Sequence, residues 1–289
     1  MKIKILIPIY NDWQSVDKLI NKIDNLVKEI NHEFSIIIVN DASTENKPDG
    51  FGHSENLYSL KILNIKKNIG HARCIATGLK HIFENEEFDY VIPMDGDGED
   101  RPEEIKIFID NLSYNPDSPI VGERIKRSEG LIFKFCYLLH KLITLVFTGK
   151  SIKFGNYTIL PKKTVNKLVN EKATWSSFSG SLSKLETNLP IIPSERGKRY
   201  FGLTKMNFLS LVKHSFSIIA VFKASVIIRS IAFYAVYLIL ISNNLSIITC
   251  IPLALIVIFG ILIVKISGRE NMDEFNSCLN NIENIDTVK

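Results

Sequence analysis

Cysteine is scarce, and Cys74, Cys136, Cys250 and Cys278 stand far apart with no C-x-x-C pair. That spacing excludes a thiolate zinc knuckle and a disulfide framework, and it suits a reducing compartment. The turn after the first apolar run, Ile9-Tyr10-Asn11-Asp12, lacks G-x-G-x-x-G, which disfavours a dinucleotide oxidoreductase. A net charge of +4 is too mild to argue for nucleic acid. The run in MKIKILIPIY stops at Pro8, too short for a signal-peptide core, and predicts that the amino-terminal region stays in the cytoplasm. No internal repeat is present.

Apolar residues are plentiful, 46% of the chain, and concentrate between Phe216 and Ile266. The segments Val226 to Ile241 and Leu245 to Val264 each approach the roughly 20 residues that cross a bilayer. Their linker, Ser242-Asn243-Asn244, is uncharged, whereas Lys213, Lys223 and Arg229 precede the pair and Lys265 and Arg269 follow it. The positive-inside rule therefore predicts a multi-pass transmembrane hairpin over 224–266 with both flanks cytoplasmic. Arg229, near the end of its span, reads as a snorkelling topology anchor. Leu131 to Phe147 carries a narrow stripe of Lys134, Tyr137, Lys141 and Thr144, so a helix in the membrane interface over 131–148 fits better than a core helix. Region 206–223 repeats that character. The polar, Asn-rich tail 267–289 is expected to be cytoplasmic and, from Glu270, loosely ordered.

Upstream, Ile3 to Pro8, Phe34 to Val39, Leu60 to Ile65 and Tyr90 to Met94 read as strands, and a short strand is expected at Pro119 to Gly122. Helices are predicted over Gln14 to Ile30, Gly70 to Phe83 and Glu104 to Leu112. This alternation implies a mainly parallel α/β sheet, in which ligands bind beyond the carboxyl ends of the strands. The clusters Asn11-Asp12, Asn40-Asp41 and Asp95-Gly96-Asp97 all fall at such ends. Two carboxylates one residue apart in an extended turn can approach a single hard cation. Mg²⁺ or Mn²⁺ prefers such oxygens, completes its shell with substrate phosphates and would neutralise a departing diphosphate.

With these motifs assembled, the sequence resembles the family 2 glycosyltransferases of GT-A fold, and most of all the polyprenyl-phosphate enzymes of dolichol-phosphate-mannose-synthase type with C-terminal membrane helices. The likeness rests on Pro8-Ile9-Tyr10-Asn11-Asp12, Asn40-Asp41-Ala42-Ser43, Asn68-Ile69-Gly70, Asp95-Gly96-Asp97 with Pro102-Glu103, Gly155-Asn156-Tyr157 and Gly202-Leu203-Thr204-Lys205. It implies a Rossmann-like GT-A domain over 1–205 and an amphipathic juxtamembrane helix over 206–223. The sequence departs from the family pattern at Asp12 for Glu, Asn40 for Asp and Glu99 for Gln.

By resemblance, Pro8, Tyr10, Asp12, Asp41, Gly70, Arg73 and Asp95 would form the donor nucleotide pocket. Asp95 and Asp97 would carry the catalytic metal, with Asp97 the direct ligand. Arg124, Arg127, Arg196, Arg199 and Lys205 border the two membrane-facing segments, where guanidinium forks and an ammonium would grip a lipid phosphate. A phosphate acceptor needs no general base, whereas a sugar hydroxyl does. No T-E-D motif downstream and no Q-x-x-R-W is found. The leading expectation is metal-dependent transfer of a sugar from a nucleotide-sugar to a polyprenyl phosphate. The alternatives are transfer to a lipid-linked saccharide and a non-catalytic nucleotide-sugar-binding scaffold. Membrane lipids and a second copy of the chain complete the partners that the resemblance allows.

Overall fold

The computed structural model describes residues 1–126, 131–202 and 208–289, and their side chains except those of 124–126, 131–137, 140 and 208–209. One eight-stranded sheet has the order β7-β5-β6-β4-β1-β2-β3-β8. Its strands are β1 (Lys2–Ile9), β2 (Glu33–Asn40), β3 (Ser59–Ile65), β4 (Tyr90–Pro93), β5 (Ile120–Lys126), β6 (Phe154–Pro161), β7 (Ile191–Glu195) and β8 (Ile282–Thr287). β1 lies parallel to β2 and β4, β2 to β3, and β5 to β7, while β6 and β8 run antiparallel to their neighbours.

Alternation along β1 builds two cores. Ile3, Ile5, Ile7 and Ile9 pack with Val16, Leu19, Ile20 and Ile23 of α1 (Trp13–Val27) and with Phe108 of α3 (Glu104–Leu112). Leu6 faces the other way, onto Cys74, Ile75 and Leu79 of α2 (His71–Asn85), Val165 of α5 (Lys162–Val169) and Leu182 of α6 (Phe178–Leu185). Lys4 also faces that side, and its buried ammonium donates to Ser35 (3.2 Å) and Glu86 (3.1 Å). Pro8 is tolerated in a central strand for a topological reason. Residues of its parity turn their polar groups toward β4, where Met94 N–H donates to Leu6 C=O (3.0 Å), and the β1–β4 register ends at Leu6 opposite Pro93. Its missing N–H therefore costs no ladder bond.

After the sheet, α4 (Leu131–Thr148), α7 (Phe208–Ala220), α8 (Lys223–Ile241) and α9 (Ile247–Ser267) pack together. Phe147 and Phe216 meet Phe259 at ring distances of 4.8 and 6.0 Å. α8 and α9 are long and apolar enough to cross a membrane. Leu138, Leu142 and Leu145 keep α4 apolar on its exposed side. Arg229 of α8 donates to the carbonyl of Val146 (3.1 Å), a cation at the carboxyl end of α4.

The tail departs from expectation. It is not loosely ordered: after α9 the chain forms α10 (Met272–Asn276), a 3₁₀ turn and then β8, paired antiparallel to β3. Phe275 is fully buried and stacks on Trp175 at 5.5 Å, and Asn284 accepts from Asn64 (2.6 Å). A sheet edge supplies backbone partners to any extended segment, so β8 needs little hydrophobicity of its own. The chain thus leaves the α/β domain into the apolar hairpin and returns to the same domain.

Candidate active site

The site is built on the ends of β1, β2 and β4. Asn11 and Ala42 adopt left-handed backbone (φ 51° and 55°), a costly conformation that persists because the two loops brace each other. Asn11 Oδ1 accepts from the amides of Thr44 (2.7 Å) and Glu45 (3.1 Å), and the Asn11 amide donates to Ser43 Oγ (2.9 Å). Asn40, the uncharged substitute in the second motif, links β2 to Asn64 of β3 (2.9 Å) and accepts from the Ser43 amide (3.0 Å).

Gly96 has a packing reason. A Cβ there would lie 2.7 Å from Val16 Cγ2 and 3.0 Å from Ile7 Cγ2, so the backbone between the two aspartates presses onto α1. The aspartates have different partners. Asp95 Oδ1 accepts from Asn156 (3.2 Å) and lies 3.3 Å from His71 Nε2, and its amide donates to the buried Asp100 (2.9 Å). Asp97 Oδ1 accepts from the Glu99 amide (2.9 Å), and its Oδ2 meets an Arg199 nitrogen at 2.8 Å. The same guanidinium also holds Asp12 Oδ2, so Asp12 and Asp97, from different loops, share one cation. Burial first and the Asp95 charge second push the Asp97 carboxyl up to about 6, against the pull of Arg199 and Arg196.

The segment 196–202 lies across the Asp97 loop. Gly197 N–H donates to Glu99 C=O (2.7 Å), Tyr200 N–H donates to Asp97 C=O (2.9 Å), and Arg196 pairs with Glu99. The Tyr200 ring covers Gly98, where a Cβ would come within 2.4 Å of it, and Lys18 and Lys22 sit over the ring at 5.0 and 5.1 Å. Beside it opens a cleft of about 340 Å³, lined by Asn11, Asp12, Trp13, Glu45, Arg199 and Phe201. A larger depression of about 820 Å³, among Lys2, His32, Glu87 and Lys162, lies at the amino-terminal edge of the sheet and holds none of the strand-end carboxylates.

The glycosyl transferase family 2 model matches residues 4–171, more than half of the chain. The chain belongs to glycosyl transferase family 2. It is a nucleotide-sugar glycosyltransferase of GT-A fold. Solved structures that share the fold of this family 2 enzyme include two phosphoglycerate glycosyltransferases. Mannosyl-3-phosphoglycerate synthase from Rubrobacter xylanophilus is 13% identical with a TM-score of 0.52, over 76% of this chain and 72% of that one. Glucosyl-3-phosphoglycerate synthase from Mycobacterium tuberculosis, in complex with Mn²⁺, UDP and phosphoglyceric acid, is 12% identical with a TM-score of 0.53, over 78% of each chain.

Pro8, Tyr10, Asp12, Asp95 and Asp97 of this glycosyltransferase lie at the carboxyl ends of β1 and β4, where the sequence reading places them, with Tyr10 exposed. Gly70 adopts φ 91° with nothing within 4 Å of a Cβ, so its need for glycine is conformational and the backbone there is open. Asp41 takes the local alternative: its oxygens accept from the amides of Ile69 (2.7 Å) and Gly70 (2.9 Å), pinning the loop ahead of α2. Burial raises its pKa despite those amides.

Three expected site residues have partners other than the expected ligand. Arg73 sits over Trp175 (5.0 Å) and pairs with Glu274 (3.1 Å), because the ordered tail occupies that face of α2. Arg196 and Arg199, expected at an acceptor phosphate, are drawn by charge to Glu99 and to Asp12 with Asp97. Arg124 falls within β5 and its side chain is outside the described residues, as are Arg127 and Lys205. His71 gave no sequence signal, Asp100 stood out only as an acidic neighbour of the Asp95–Asp97 motif with no role assigned, and Asn156 appeared only inside a motif; the fold joins all three to Asp95.

Among the described residues no group of three or more His, Cys, Asp or Glu forms a metal cage. The donor set still suits a hard divalent cation, since two carboxylate oxygens already converge on one positive group. Mg²⁺ and Mn²⁺ are bound by one or two carboxylates and take their remaining ligands from water and phosphate.

Proposed function

We propose that this glycosyltransferase transfers a sugar, with inversion, from a nucleotide-sugar to the phosphate of a membrane polyprenyl phosphate. In this reading Asp97, with Asp12 or Asp95, holds Mg²⁺ or Mn²⁺, which supplies positive charge to the leaving diphosphate. Tyr10 and the Gly70 backbone border the nucleotide, while Asn11 and Asp41 hold the two loops that present them. His71 and Asn156 fix the orientation of the Asp95 carboxylate. Arg124, Arg127 and Lys205 stand as the basic groups toward the lipid phosphate. An acceptor phosphate is already ionised near neutral pH, so no side chain has to remove its proton.

The observation that carries the reading is connectivity. The segment that touches Asp12 and Asp97 precedes α7 in the sequence by only residues 203–207, and α7 packs with the apolar pair α8 and α9. A lipid held at those helices would have its head group beside the donor edge, and the exposed leucines of α4 suit the membrane interface. Lys213, Lys223, Lys265 and Arg269 flank the hairpin and favour a cytoplasmic catalytic domain.

The test is a panel of radiolabelled nucleotide-sugars incubated with membranes containing the full chain and an added polyprenyl phosphate, followed by organic extraction. Mild-acid-labile lipid label that disappears with Asp97→Asn supports the proposal. Label that forms only when a lipid-linked saccharide is supplied overturns the acceptor, and no label from any donor overturns the reaction.

A further inference from the structure

The Arg199 guanidinium uses all three nitrogens: NH1 to Asp97 Oδ2 (2.8 Å), NH2 to Asp12, and Nε to the Phe201 carbonyl (2.9 Å). Its side chain is only 16% exposed, and the Asp12 and Asp97 side chains are each 18% exposed. Without it, two half-desolvated carboxylates would face each other without a counter-charge between them. With it, both Asp97 oxygens are engaged, Oδ1 by the Glu99 amide and Oδ2 by the guanidinium. A divalent ion on Asp97 would stand within a few ångströms of Arg199 and repel it.

The segment that carries Arg199 is held largely by charge and backbone bonds to this one loop. Its fastenings are Arg196 on Glu99, Gly197 and Tyr200 on the Glu99 and Asp97 carbonyls, and Lys18 and Lys22 over Tyr200. Tyr200 also packs against the first core, whereas Phe201 is exposed and Gly202, at φ 68°, has nothing within 4 Å of a Cβ. Apart from the Tyr200 ring the segment holds no core side chain, so losing the Arg199 contacts loosens it at its carboxyl end without dismantling the core.

We propose that Arg199 is a positioning residue that serves as resident counter-cation of the Asp12–Asp97 pair, and that a divalent ion enters only as Arg199 leaves, making metal binding and movement of 196–202 one event. This rests on the metal reading of Asp97 given above. Arg199 is then in competition with the metal, and its charge-assisted hydrogen bonds are worth about 10- to 100-fold in affinity.

The experiment measures Mn²⁺ binding to the purified full chain in detergent by electron paramagnetic resonance, without donor, for the native chain and for Arg199→Ala, Arg101→Ala and Asp97→Asn. Arg101 pairs with Glu103 and Glu195, so its loss changes charge nearby without unblocking Asp97. Arg199→Ala is expected to tighten Mn²⁺ by about 10-fold or more, and Arg101→Ala by less than about threefold. A second readout uses the native chain alone: saturating Mn²⁺ should speed tryptic cleavage after Arg196, Lys198 and Arg199 several-fold over other sites. Equal shifts in the two arginine variants, or cleavage indifferent to Mn²⁺, would overturn the counter-cation role. Undiminished Mn²⁺ binding by Asp97→Asn would instead overturn the metal reading itself.

Discussion

Phe275→Ala separates an integral tail from a loose one. Phe275 is fully buried, stacks on Trp175 at 5.5 Å and lies under the Lys80 ammonium at 5.4 Å. Truncating a buried Phe to Ala costs about 3–5 kcal/mol, from lost transfer energy and the cavity left behind. The loss falls on a junction where Trp175 Nε1 donates to Glu274 (2.9 Å) and Arg73 pairs with Glu274 (3.1 Å). Tm should therefore fall by roughly 6–20 °C at ~2–4 °C per kcal/mol. The assay is thermal unfolding of the purified chain in detergent, followed by tryptophan emission. Ile285→Ala, at a half-exposed position of β8, is the control and should stay within about 0.5 kcal/mol. Because α2 begins at the Gly70–His71 corner of the site, Phe275→Ala should also raise the donor KM. A Tm change no larger than that of the control would refute the packing argument and return the tail to the loose state that its composition suggests.

Three further outcomes follow from the site and its supports. Asp97 titrates near 6 in the fold against 3.8 ordinarily, so the native state holds this proton more tightly than the unfolded chain does. Its contribution to stability is therefore largest below about pH 4 and is lost as pH rises through about 6; Mn²⁺ affinity moves oppositely, falling about tenfold per unit below pH 6, measurable by titration at fixed ionic strength. Gly70→Ala should cost about 1–3 kcal/mol from backbone strain alone, since no atom lies within 4 Å of the new Cβ, and should raise donor KM as the Asp41 bond to the Gly70 amide (2.9 Å) weakens; calorimetry and kinetics check both. Arg229→Leu removes the bond to Val146 C=O at the end of α4, so tryptic cleavage at Lys150 and Lys153 should rise several-fold while the protein still fractionates with membranes.

Local pattern was enough for much of this protein. Short, unbroken β-branched runs such as Ile36-Ile37-Ile38-Val39 favour strands buried on both faces, and the helical spacing of Val16, Leu19, Ile20 and Ile23 fixes the face that α1 buries. Strand ends set the address of Asp12, Asp41 and Asp95 through Asp97, and long apolar runs announced α8 and α9, because each signal needs only neighbours in the chain. The rest depended on residues far apart in sequence. β8 finds its partner more than 200 residues upstream, at an edge that no periodicity reveals. α10, just ahead of it in the ordered tail, gives Arg73 a partner in Glu274. Arg199 looked like one of several basic residues near membrane helices, yet carboxylates from two loops capture it. Charge is read from composition, but its partner is chosen by whichever opposite charge the fold desolvates beside it. Only the tertiary structure decided that Asp12, rather than Asp95, shares a cation with Asp97.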